Sequence, residues 1–173
     1  MAVEQKVTAI ELAKELITSF EGSRLKAYKD TNGIWTIGYG HTKDVIEGMI
    51  ITKEQEAQFL TEDLADSLKR FNLRVTLNAY EKAALISLAF NLTWKSYKAL
   101  EMTLNVDKEA FKERMLLYCR DTKGNFIKGL KIRRIAERLL FENREWKSFK
   151  NWTQKPTTKL IDIINKEKEL FNK

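Results

Sequence analysis

Four polar side chains stand close together in the segment FEGSRLKAYKDTNGIWTIGYGH, residues 20–41. They are Glu21, Asp30, Thr36 and His41, the last being the only histidine of the chain. Glu21 follows an apolar-periodic stretch, where the negative end of a helix dipole disfavours its charged form. A carboxyl group that keeps its proton near neutral pH serves as a general acid. Each residue also has an ordinary structural reading. Glu21 is then a solvated glutamate at a helix end, and Asp30 opens an Asp-Thr-Asn-Gly turn and bonds its own backbone. Thr36 is at home in a strand, and His41 is a ring paired with a carbonyl or carboxylate.

Such groups need elements to carry them. A first helix is expected from Ala9 to Phe20, with Thr8 and Glu11 as a capping box and a stripe of Ile10, Ala13, Leu16, Ile17 and Phe20. Gly22 is placed as its C-terminal stop. Tyr28 to Ile37 reads as a hairpin around Asp30-Thr31-Asn32-Gly33, ended by Gly38 and Gly40. Thr52 with Gln55 caps a helix carrying Phe59, Leu60, Leu64 and Leu68. Asn78 with Glu81 opens AYEKAALISLAFNL, apolar on most faces and therefore the expected buried central helix. Further helices are expected at 95–104, 108–119 and 130–143, with a short one from Trp146 to Trp152. Pro156, the only proline, marks a break before an amphipathic stretch carrying Leu160, Ile161, Ile164 and Phe171.

The fold class is accordingly α+β, mostly helical and two-lobed. A small β-hairpin lobe is expected at about 22–50 and a helical lobe at about 52–150, joined by the helix 9–20. Residues 1–150 form the expected functional domain, and 151–173 a helical extension packed on the body. A cleft between two such lobes is a common place for a ligand.

The 173 residues are 43% apolar, enough for a buried core, and 32% charged with a net charge of +7. That balance favours anionic partners without choosing among them. A nucleic-acid binder is not supported, since no helix-turn-helix, zinc or RNP signature is present. One cysteine, Cys119, and one histidine cannot build a disulfide or a cysteine-rich zinc site. No metal or cofactor is expected, and folding in a reducing compartment is. No apolar run reaches the length of a signal peptide or membrane span.

The spacing of Glu21, eight residues, Asp30, five residues, Thr36 resembles the catalytic pattern of the phage-lysozyme family, the endolysins of glycoside hydrolase family 24. The surrounding words, EG-x-R-L-K-A-Y-K-D-T-x-G-x-x-T-I-G-Y-G-H, resemble that family's signature across consecutive positions. The resemblance continues through Asp63, Phe90-Asn91, and Gly129-Leu130 with Arg133, Arg134 and Glu137, covering about residues 10–147. It departs at Asn91-Leu92-Thr93, where the family often has Asn-x-Gly. The family's usual Trp before the Gly-Leu element is replaced near Tyr118 or Cys119.

The resemblance implies a lysozyme-like fold and a muramidase that cleaves the β-1,4 bond between N-acetylmuramic acid and N-acetylglucosamine. Glu21 would be the general acid, with Asp30 and Thr36 activating a water in the inverting arrangement. It implies Tyr39 and Asn91 as substrate-binding, His41 with Asp63 as a structural pair, and Arg133 and Arg134 as residues that brace the lobes or meet substrate. The implied partner is the peptidoglycan glycan strand, met by a monomer made in a bacterial host's cytoplasm and acting on the wall after release. The lysines of the terminal helix suit anionic lipid, but Asp162, Glu167 and Glu169 on the same stretch count against it, so lipid is only the lesser expectation. The alternatives are a lytic transglycosylase and a catalytically silent peptidoglycan-binding module of the same fold.

Overall fold

The computed structural model describes residues 7–147 apart from Thr31 and Thr122. The expected extension at 151–173 and most of the short helix from Trp146 lie outside these residues. Six helices and one two-stranded antiparallel sheet are described: α1 (Ala9–Phe20), β1 (Arg24–Lys29), β2 (Trp35–Gly38), α2 (Lys53–Lys69), α3 (Ala79–Asn91), α4 (Trp94–Leu104), α5 (Lys108–Met115) and α6 (Lys128–Phe141). The chain divides into two compact units, residues 21–70 and the remainder. The helix from Thr52, expected in the helical lobe, thus falls in the same unit as the hairpin.

A reciprocal capping box starts three of the helices. Thr8 Oγ1 accepts from the Glu11 N–H at 3.2 Å, while the Glu11 carboxylate accepts from the Thr8 N–H at 2.9 Å. The same reciprocal box forms at Thr52 with Gln55 and at Asn78 with Glu81. Other boundaries differ from expectation. Ile10 and Phe20 are only half-buried, because they lie in the end turns of α1; Leu12, Ala13, Leu16 and Ile17 form its buried face. Gly22 is not among the glycines with positive φ, so α1 ends in a bend at Glu21 without a left-handed cap. α5 stops at Met115, short of 119, since the Cys119 carbonyl accepts from the Ile127 N–H at 2.9 Å and begins a small hairpin. α6 runs from Lys128 to Phe141 and its N-cap, Ile127, makes no side-chain cap bond.

The unit of residues 21–70 has its own core of Ala27, Ile37, Val45 and Ile51, flanked by Leu25, Trp35, Met49 and Phe59. β1 is held on both edges. It pairs with β2 on one side, and on the other the Ala27 N–H donates to the Met49 carbonyl at 2.8 Å and the Ile51 N–H to the Leu25 carbonyl at 2.9 Å. A strand so bonded cannot slide without breaking both ladders.

In the other unit, α3 is buried continuously from Ala83 to Leu88, and α1 and α6 pack against it. Its interior includes charge. Glu137 on α6 is fully buried, accepts from Ser87 Oγ of α3 at 2.6 Å, and takes Arg133 Nε at 3.2 Å and Arg134 Nη2 at 3.0 Å. Arg134 Nε also lies 2.7 Å from Glu137 Oε2, a charge contact rather than an aligned hydrogen bond.

Removing Glu137 takes a buried carboxylate away from two buried guanidinium groups. Glu137→Ala should cost about 3–5 kcal/mol, a fall in melting temperature of roughly 6–20 °C. Thermal unfolding followed by circular dichroism measures this, and a fall under about 2 °C would contradict it.

Candidate active site

The hairpin register decides where the polar groups of the opening segment stand. Tyr28 pairs with Thr36 and Lys29 with Trp35. The Asp30 N–H donates to the Ile34 carbonyl at 3.0 Å, carrying the pairing one step further. Side chains alternate between faces along a strand. Tyr28, Asp30 and Thr36 therefore share one face, while Leu25, Ala27, Trp35 and Ile37 turn toward the unit's core.

Asp30 Oδ1 accepts from the Asn32 N–H and the Ile34 N–H, both at 2.8 Å. Gly33, at φ 79°, closes the turn by donating its N–H to the Asp30 carbonyl at 3.0 Å. Among the described residues, Oδ2 has no such partner and is available to accept. Thr36 is 4% exposed and its hydroxyl donates to the Ile34 carbonyl at 3.0 Å, which leaves its oxygen lone pairs to accept. Glu21 is half-buried in the bend after α1, in the same compact unit as Asp30 and Thr36.

His41 is tied in three ways. Its Nδ1 lies 3.0 Å from both Asp63 carboxylate oxygens, its ring stacks on Phe59 at 4.4 Å, and its backbone exchanges bonds with Ile37 at 2.9 and 3.0 Å. A carboxylate only accepts, so Nδ1 carries the proton. The imidazole thus fastens the end of β2 to α2. Tyr39, between β2 and His41 in the chain, is half-buried.

The remaining expected residues belong to the helical unit. Asn91, the last residue of α3, accepts from Arg134 Nη2 at 2.8 Å. It also lines a recess of about 460 Å³ with Thr93, Tyr118, Arg120 and Asp121. Arg133 and Arg134 are buried and bonded to Glu137, Ser87 and Asn91, all on α3 and α6. Asn91-Leu92-Thr93 needs no glycine, because Leu92 is extended at φ −90°, ψ 154°, and Thr93 caps α4 by accepting from the Ser96 N–H at 3.3 Å.

Sequence reasoning missed Glu56. This carboxylate on α2 is 3% exposed, accepts from Ser23 Oγ and pairs with Lys53 Nζ at 2.9 Å. That hydrogen bond to Glu56 holds the lysine's pKa above its ordinary value. A signal was present: Glu56 sits four residues before Leu60 and eight before Leu64, on the apolar stripe itself.

Residues 18–137 match the family model described as Phage lysozyme. The chain is 37% identical over 136 residues to the endolysin of Acyrthosiphon pisum secondary endosymbiont phage 1, covering 74% of this chain and 93% of that protein. Among solved structures, a mutant of phage P22 lysozyme is 34% identical with a TM-score of 0.65, covering 82% of this chain and 99% of that one. The muramidase domain of SpmX from Asticaccaulis excentricus is 28% identical with a TM-score of 0.66, covering 75% and 93%.

The His41–Asp63 bond is expected to contribute about 1 kcal/mol to stability. Asp63→Ala should lower the melting temperature by roughly 2–4 °C, and His41→Ala should cost less in that background than in the wild type. Additive losses in this double-mutant cycle would show that the pair is not coupled.

Proposed function

Because this chain belongs to the phage lysozyme family and is a peptidoglycan-hydrolysing lysozyme, we propose that it is a muramidase. The bond cleaved is the β-1,4 linkage between N-acetylmuramic acid and N-acetylglucosamine, with inversion at the anomeric carbon. The observation that carries the reading is the shared hairpin face of Asp30 and Thr36, in the unit that also holds Glu21. Residues 1–150 form the catalytic domain.

Glycoside cleavage needs a proton for the leaving oxygen and an attack on an oxocarbenium-like carbon. Glu21 donates its proton to the glycosidic oxygen as the carbon–oxygen bond breaks. A water held by Asp30 Oδ2 and the Thr36 hydroxyl attacks the anomeric carbon, and Asp30 takes the water's proton. Proton exchange with solvent then restores both carboxyl groups. The turn supports this role, because Oδ1 is spent on two backbone N–H groups and the orientation of Oδ2 is fixed. Inversion requires carboxylates about 6.5–9.5 Å apart, which leaves room for the water.

On the helical unit, Asn91 and its recess are assigned to substrate binding. Tyr39 is assigned the same role on the hairpin unit. Arg133 and Arg134 are assigned to bracing, which their hydrogen bonds to Glu137, Ser87 and Asn91 support. The net charge of +7 draws the enzyme toward anionic wall polymers. No described helix is long and apolar enough to cross a membrane.

Glu21→Gln and Asp30→Asn should each lower the rate of clearing of a peptidoglycan suspension by about 10²–10⁴-fold. Thr36→Ser should retain more activity than Thr36→Val. Wild-type clearing by Glu21→Gln would remove Glu21 from its role. Mass analysis of the released muropeptides should show reducing N-acetylmuramic acid ends carrying one added water, whereas anhydro ends would identify a lytic transglycosylase.

A further inference from the structure

Glu21 reaches the hairpin through Gly22, where an added Cβ would meet nothing within 4 Å. No packing requires glycine there, and glycine loosens the backbone. The orientation of Glu21 on its C-terminal side therefore depends on how the next residue, Ser23, is held. Ser23 donates its hydroxyl to Glu56 Oε1, and the Lys53 ammonium bonds both Ser23 Oγ at 3.1 Å and Glu56 Oε2 at 2.9 Å.

Glu56 meets the second strand as well. A Cβ at Gly38, which has φ 61°, would stand 3.3 Å from Glu56 Cγ. Gly38 ends β2, two residues after Thr36, and pairs with Arg24, the neighbour of Ser23. One buried carboxylate thus sits where the backbone leading from Glu21 and the backbone leading from Thr36 come together. An apolar side chain would fill the same space more cheaply, since a buried charge carries a desolvation cost. What the carboxylate supplies is a directed bond to Ser23.

We propose that Glu56 is a positioning residue: through Ser23 it fixes the strap that carries the general acid. This rests on the assignment of Glu21 above. The two bonds of Glu56 divide the labour. The Ser23 bond aims the strap, and the Lys53 bond neutralises the buried charge.

Steady-state hydrolysis of a soluble glycan-strand substrate, read beside thermal unfolding, separates these roles. Ser23→Ala deletes the aiming bond together with the Lys53–Ser23 bond, and leaves the Lys53–Glu56 pair in place. It should lower kcat about tenfold, with KM within about twofold and the melting temperature within about 2 °C of wild type. Ser23→Thr restores the hydroxyl and should restore most of kcat. Lys53→Met should lower the melting temperature more than kcat. Asp66→Asn, in an exposed ion pair on the same helix, is the control and should change neither. Wild-type kcat in Ser23→Ala, or loss of kcat only in proportion to lost stability, overturns the proposal. Glu21→Gln is run alongside: if it is inactive while Ser23→Ala is normal, the positioning role alone fails. If Glu21→Gln is fully active, the assignment of Glu21 has failed instead.

Discussion

The pairing of Tyr28 with Thr36 is the constraint on which the candidate site depends. Side chains in a strand alternate with period two, so a slip of one residue would send Thr36 to the core face. The slip is blocked from several directions. β1 is bonded on both edges, Ile37 and Ala27 must stay in the unit's core, and the Asp30 turn fixes the length of the connection. The apolar face of the hairpin thereby aims its polar face. The candidate active-site residues are placed by burial of residues that take no part in chemistry.

Buried carboxylates recur as fasteners between elements distant in sequence. Glu137 joins α6 to α3 through Ser87. Glu101 on α4 accepts from the Asn72 N–H at 2.9 Å and from the Tyr97 hydroxyl at 3.3 Å, and pairs with Lys98. Burial, with Glu101 beside it, pushes the Tyr97 hydroxyl's pKa well above its usual value. Glu56 joins α2 to the segment before β1. In each case, bonds from neutral groups accompany a nearby cation, which is what a buried carboxylate requires. Such groups are poor sources of net stability. They are directional, and so they specify which surfaces meet.

Much of this was legible in the sequence. The three capping boxes and the hairpin turn were visible because each rests on bonds between residues four or fewer apart; the central helix was visible in its apolar run, and the polar set at 21–41 in its spacing. The misplaced boundaries lie where local chemistry falls silent. α6 begins at an isoleucine with no capping bond, and α5 is cut short by a pairing between Cys119 and Ile127 that no helical period reports. Glu56 was passed over because a glutamate near a helix start reads as solvated until its neighbours are known.

A second turn shows how far local sequence reaches. Asp121-Thr122-Lys123-Gly124-Asn125 repeats the Asp-Thr-x-Gly pattern of Asp30, and the same bonds form. Asp121 Oδ1 accepts from the Lys123 and Asn125 N–H groups at 2.9 and 2.8 Å, and the Gly124 N–H donates to the Asp121 carbonyl at 3.0 Å. The sequence alone determined both turns, since an aspartate followed by a glycine satisfies its own backbone. What it did not determine is that only the first turn lies on a strand facing a buried threonine. Tertiary structure decided that, because burial and strand register are set by residues far apart in the chain.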